Sequence, residues 1–186
     1  MRSMLAAAAL SFVLTAGPAM ADDVSDAIEQ GRKAYSAGDL AKAKEALDLA
    51  SQLIGQKNAE AFGKLLPAAL AGWTAEKVET TAVGSVGFGI SSASRRYEKS
   101  DEYVEVQITG DSAVIAQFAA LLSNSQVVGA MGKLVTIGNQ RAFQSMDGDI
   151  HMVINNRYLV AVQGNASPND KLAYAKAVDV AKLSKM

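Results

Sequence analysis

The 186-residue chain has no cysteine, one histidine, three prolines and only 6% aromatic residues. Each scarcity closes off a chemistry. Without cysteine there is no disulfide, thiolate metal site or thiol nucleophile, and one histidine cannot build a multi-histidine metal centre. No charge of one sign predominates: 18 Lys and Arg stand against 19 Asp and Glu, a net charge of −1. Nucleic-acid binding draws on an excess of cations that displaces counterions from phosphates, so that partner is excluded on charge. What remains, 49% apolar and 20% charged residues, is globular composition. No catalytic constellation is legible, so no catalytic residue, metal or cofactor is assigned and the chain reads as a non-enzyme.

The first 21 residues read as an export signal. Arg2 supplies a positive start, Leu5 to Ala16 is an apolar run, and Ala19-Met20-Ala21 is a small-x-small cleavage site before Asp22-Asp23. A run of about a dozen apolar residues falls short of the roughly 20 that a spanning helix needs. No stable membrane span is therefore expected after cleavage. The mature chain begins at Asp22 as a periplasmic or secreted protein, and loss of Arg2 leaves 17 basic against 19 acidic residues.

The mature chain divides into residues 22–60, a helical hairpin, and residues 61–186, an α+β domain. Val24, Ala27, Ile28, Gly31, Ala34 and Tyr35 recur at helical spacing, as do Ala43, Ala46, Leu47, Ala50, Leu53 and Ile54, with Gly38-Asp39 as the break between them. Gly31, Tyr35, Gly38-Asp39-Leu40, Ala43, Leu47, Ala50 and Leu53 make this hairpin resemble one tetratricopeptide repeat, although the closing proline is missing and no second copy follows. Repeats of that kind bury a continuous core only when several stack. A lone copy must dock, either on its own domain or on another protein.

Beyond the boundary near Asn58 to Trp73, strand patterns take over. Tyr103 to Ile108 alternates apolar and polar residues, with Phe88 to Glu98 as its hairpin partner. Gly110-Asp111-Ser112 caps a following helix. Lys133–Ile137, Gln140–Met146, Asp149–Ile154 and Tyr158–Gln163 are four short strands joined by Gly138-Asn139, Asp147-Gly148 and Asn155-Asn156, all two-residue hairpin turns by chemistry. Ser167-Pro168-Asn169-Asp170 starts a closing helix that runs to about Leu183. The expected fold class is α+β: a helical hairpin, then an antiparallel meander of about six strands flanked by helices. Leu66-Pro67, Gly72-Trp73, Arg96-Tyr97 and the closing helix give residues 65 to 183 a layout similar to exported PsbP-like domains. That resemblance implies an accessory or binding role.

Several local patterns resemble sites. Gly84 to Gly89 lacks the strand, helix and Lys of a phosphate loop and reads as a turn or bulge. His151 has Asp147 and Asp149 near it in sequence but no nucleophile. Asp147-Gly148-Asp149 is a turn before it is a calcium site, and Asn165-Ala166-Ser167 is a chance glycosylation pattern whose Ser167 caps a helix. Arg95, Arg96, Arg141 and Arg157 would form an anion-binding patch if their strands were neighbours, or would pair with Glu98, Asp101, Glu102 and Glu105. Residues 112–132 carry no charge. Phe118, Leu122, Val127 and Val128 in that stretch belong either to the core or to an exposed apolar patch.

Three functional expectations follow. The first is an exported non-enzymatic accessory or interaction module of a bacterial-type envelope, with an envelope protein as partner. The second is a small-ligand or lipid-binding protein with a pocket between helix 112–122 and the sheet. The third is a hydrolase using His151.

Overall fold

The computed structural model describes residues 22–82, 90–110 and 113–186. Within 113–131 it describes every side chain except those of Ala113, Val114, Gln117, Leu121, Ser123, Ser125 and Val127. The expected export signal, the Gly84–Gly89 stretch and the capping pair Asp111-Ser112 lie outside the described residues.

Two capped helices open the fold. α1 (Asp23–Ser36) begins at Asp22, whose carboxylate accepts from the Ser25 N–H at 3.0 Å, and α2 (Leu40–Gly63) begins at Asp39, which accepts from the Lys42 N–H at 3.1 Å. Gly38, at φ 79°, turns the chain between them. The helices meet through small residues: Ala27 and Gly31 on α1, Ala43 and Ala50 on α2, all buried. α2 ends at Gly63, within the expected boundary region Asn58 to Trp73. Ala59 and Phe62 continue its apolar pattern, and Phe62 anchors its end in the core beneath the sheet.

The remainder is an antiparallel sheet with flanking helices, an α+β fold. Its strands are β1 (Thr74–Ala75), β2 (Glu79–Ala82), β3 (Ser91–Lys99), β4 (Glu102–Gly110), β5 (Gly132–Ile137), β6 (Gln140–Ser145), β7 (Ile150–Ile154) and β8 (Tyr158–Gly164). Among the described residues that makes eight strands where the sequence suggested about six. The extra two, β1 and β2, both pair with β3 and are too short and exposed to show alternation.

The order is β1-β3-β4-β8-β7-β6-β5, with β2 beside β3. β5 to β8 form the expected meander, but it joins the sheet backwards, through β8 against β4. The cause is the connection α3 (Ala113–Ser123) and α4 (Ser125–Met131), which carries the chain from β4 to the far edge. α4 is a separate short helix: Asn124 accepts from the Gln126 N–H through its side chain and from the Val128 N–H through its carbonyl, starting a new turn. The closing helix is likewise split. α5 (Pro168–Ala177) stops at Val178, which is extended, and Asp179 caps α6 (Val180–Leu183).

One sheet face is the core. Val104, Val106, Ile108, Ile150, Met152, Ile154, Val160 and Val162 are fully buried there, under Phe62, Leu66, Trp73, Tyr174, Val178 and Leu183. Full burial of each such aliphatic side chain contributes about 1.5–3 kcal/mol. On the opposite face, β3 and β4 present polar residues, including Arg96, Glu105 and Gln107. Under α3 on that same face lie His151 and Phe143, with the Phe118 ring 5.0 Å from the His151 ring.

Candidate functional site

The hairpin carries more apolar surface than its own packing covers. α1 packs chiefly on α2, and the C-terminal half of α2 packs on β2 and β3. Ile28 and Tyr35 lie seven residues apart on α1, and Leu40, Leu47 and Ile54 lie at the same interval on α2, so each set forms one stripe. For an antiparallel pair meeting through Ala27/Gly31 and Ala43/Ala50, the two stripes fall on the same side. Leu47 lies against Gly31, where a Cβ would stand 3.0 Å from the Leu47 Cγ. The opposite side of the hairpin presents Gln30, Ala34, Lys42, Glu45, Ala46 and Leu49 along a shallow groove.

These five side chains are open to solvent: Tyr35 is 70% exposed, Leu40 66% and Leu47 51%, with Ile28 and Ile54 close to half exposed. Such a contiguous apolar stripe differs from the single exposed hydrophobics found on every protein. Charge flanks it in closed pairs. Arg32 makes two 2.8 Å bonds to the Glu29 carboxylate, pulling it down to about 2, and Lys44 pairs with Asp48. In the sequence Ile28, Tyr35, Leu47 and Ile54 recur at helical spacing among the apolar residues of the two helices. The seven-residue spacing was legible, but the missing cover over it was not.

The residues singled out on the sheet separate. Arg95 and Arg96 alternate to opposite faces of β3: the Arg95 Nε donates to the Glu76 carbonyl at 2.8 Å, and Arg96 pairs with Glu98 at 3.0 Å while stacking 3.8 Å from the Tyr103 ring centroid. Arg141 sits on β6, with β7, β8 and β4 between it and β3. Arg157 lies in the β7–β8 turn beside the Tyr158 ring. Arg95 and Arg96 thus form no common patch with Arg141, because strand order, which the sequence does not carry, keeps them apart.

In the uncharged segment, Val128 is buried and Phe118 and Leu122 are half-buried, while the Val127 side chain lies outside the described residues. A groove of about 370 Å³ does lie between α3 and the sheet. Ala119, Leu122, Leu134 and Val153 line it, with Arg141 and Asn156 also on its wall.

His151 is half-buried beneath Phe118. Its Nε2 is 3.3 Å from the Gln163 amide nitrogen, and its Nδ1 is buried without a hydrogen-bond partner. Burial pushes the imidazole below its ordinary value, and Asp149 only partly opposes the shift. Asp149 itself bonds to Lys171 at 2.7 Å. Among the described residues no group of three or more His, Asp or Glu is placed to hold a metal ion, and no helix is long and apolar enough to cross a membrane.

Comparison with protein-family models, with characterised proteins and with solved structures gives no match.

Proposed function

We propose that this chain is an exported, non-enzymatic accessory protein of a bacterial-type envelope whose α1–α2 hairpin is its docking element. The sheet domain is the anchor and the hairpin is the contact. The observation that carries this reading is the uncovered stripe of Ile28, Tyr35, Leu40, Leu47 and Ile54. A tetratricopeptide-like hairpin without neighbours has a stacking face to offer, and a PsbP-like domain is a fitting support for it. Export rests on the leader, Arg2 to Ala21. His151 packs under Phe118 and faces Gln163, which supports a packing role in place of a hydrolytic one.

A photo-crosslinking side chain at position 35, irradiated in cells, tests the reading. Adducts of defined mass are expected, and they disappear when Leu47→Glu is added. Absence of adducts at 35 and 40, with adducts at α3 positions instead, would move the contact surface elsewhere.

The groove under α3 favours a second reading, in which the sheet domain holds a small amphiphile. Its volume lies within the range of small-molecule sites, and its walls combine Leu122, Leu134 and Val153 with the Arg141 cation. Native mass spectrometry of the purified protein tests this. A retained ligand that is lost with Leu122→Arg supports it, and a bare chain mass counts against it.

A further inference from the structure

We propose that a second copy of this chain covers the hairpin face, seated antiparallel about a two-fold axis that crosses the helices at the level of Gly31 and Leu47. The inference rests on the reading of this face as the docking element and names its occupant.

The contact between Leu47 and Gly31 fixes those two residues at one height along the hairpin. From that height, Ile28 lies three residues to one side on α1 and Tyr35 four to the other. On α2, Leu40 and Ile54 lie seven residues to either side of Leu47. The apolar pattern is therefore symmetric about the level of Gly31 and Leu47.

The charges are opposite in sense on its two sides. On α1, Glu29 precedes Gly31 while Arg32 and Lys33 follow it; on α2, Lys44 precedes Leu47 and Asp48 follows it. A two-fold rotation about an axis perpendicular to the helices sets Leu40 against Ile54 of the second copy and Leu47 against its own counterpart. Ile28 then meets the Tyr35 of the second copy. The same rotation brings Glu29 to Arg32 and Lys33 of the second copy, and Lys44 towards its Asp48. Opposite charges meet across the interface, and two-fold interfaces require this kind of self-complementarity. The alternative axis, parallel to the helices, sets Glu29 near Asp48 and Lys33 near Lys44, which like charges disfavour.

The area is sufficient. The exposed parts of the five apolar side chains amount to roughly 500 Å² per copy, and with their flanks the pair buries on the order of 1,200–1,600 Å², a standard specific interface. The product is an antiparallel four-helix bundle with a core at seven-residue spacing, and it sends the two sheet domains to opposite ends.

Because the chain has no cysteine, single cysteines report the geometry cleanly. Leu47→Cys should be joined into a covalent dimer by a short thiol crosslinker, whereas Leu49→Cys, on the opposite side, should not. Mixed Leu40→Cys and Ile54→Cys proteins should crosslink to each other more than either does to itself, which distinguishes the antiparallel from the parallel arrangement. In sedimentation velocity, the purified protein should run at twice the chain mass. Tyr35→Glu with Leu47→Glu should lower self-affinity by at least about 100-fold while Trp73 fluorescence stays unchanged. Lys44→Glu should weaken the dimer, and adding Asp48→Lys should restore it.

A monomer at the highest attainable concentration overturns the proposal, as does a dimer indifferent to both glutamates. If the protein is monomeric but position 35 still crosslinks to a protein of another mass in cells, the docking face stands and the second copy is excluded. If position 35 yields nothing in either experiment, both fall.

Discussion

Lys171, on α5, has its ammonium 2.7 Å from the Asp149 carboxylate and 2.8 Å from the Asp147 carbonyl, and only 2% of the residue is exposed. Its partner is not equally enclosed: the Asp149 side chain keeps about a quarter of its surface in water. The two ends of this ion pair therefore have different consequences when removed. Asp149→Ala leaves a buried cation with one carbonyl for company, and should cost about 3–5 kcal/mol. Lys171→Met fills the same space with an apolar chain and leaves a carboxylate that water can still reach, so a cost of about 1–2 kcal/mol is expected. Urea titrations followed through the single tryptophan, Trp73, measure both. The reverse order would mean that the pair is solvated in solution.

Gly164 closes β8 at φ 144°, and a Cβ there would collide with the Tyr103 carbonyl on β4. Asn165 then clamps the same junction, accepting from the Tyr103 N–H at 2.6 Å and donating to the Asp101 carbonyl at 3.0 Å. Gly164→Ala combines backbone strain with a main-chain clash and should lose about 2–3 kcal/mol or more. Gly72→Ala is the control. It too has positive φ, but nothing lies within 4 Å of its Cβ, so it pays only the strain. Equal losses for the two variants would remove the clash from the explanation.

Tyr97 is fully buried, stacked 4.3 Å from the Tyr174 ring, and its hydroxyl donates to the Pro67 carbonyl at 2.7 Å. That bond ties the segment after α2 to the middle of the sheet. Tyr97→Phe keeps the ring packing but leaves the buried Pro67 carbonyl unsatisfied, an expected loss of about 1–3 kcal/mol. Tyr97→Ala removes the ring as well and should cost about 3–5 kcal/mol. Thermal unfolding by near-ultraviolet circular dichroism checks both. A Phe variant as stable as the parent would mean that water replaces the hydroxyl.

How far the fold could be read from sequence depended on whether the deciding forces were local. The β5–β8 meander was legible because its turns need residues that tolerate positive φ, and Gly138, Gly148, Asn155 and Asn156 adopt it. The start of the closing helix at Ser167 and the break at Gly38-Asp39 were likewise local signals. Strand order was not: nothing in β8 records that it will pair with β4, and that pairing separates Arg141 from Arg95 and Arg96. The exposed apolar stripe lay between these cases. Leu40, Leu47 and Ile54 announce an apolar face by their spacing, but a face that is buried and a face that awaits a partner have the same period.

His151 gives the pH dependence a definite sign. Burial beneath Phe118 disfavours the imidazolium and lowers the value in the folded state below the ordinary 6.5, with the Asp149 carboxylate opposing it. Well above pH 6.5 the ring is neutral in both folded and unfolded chains, and stability does not depend on it. As pH falls through 6.5 the unfolded chain takes up a proton that the folded chain refuses, so stability declines until the folded-state value is reached. Denaturant titrations between pH 5 and 8 should show this decline in the parent and lose it in His151→Gln. Phe118→Ala exposes the ring, and should move its nuclear magnetic resonance titration back up towards 6.5 while flattening the stability profile. A parent imidazole that titrates at 6.5 or above would mean that α3 does not cover the ring in solution.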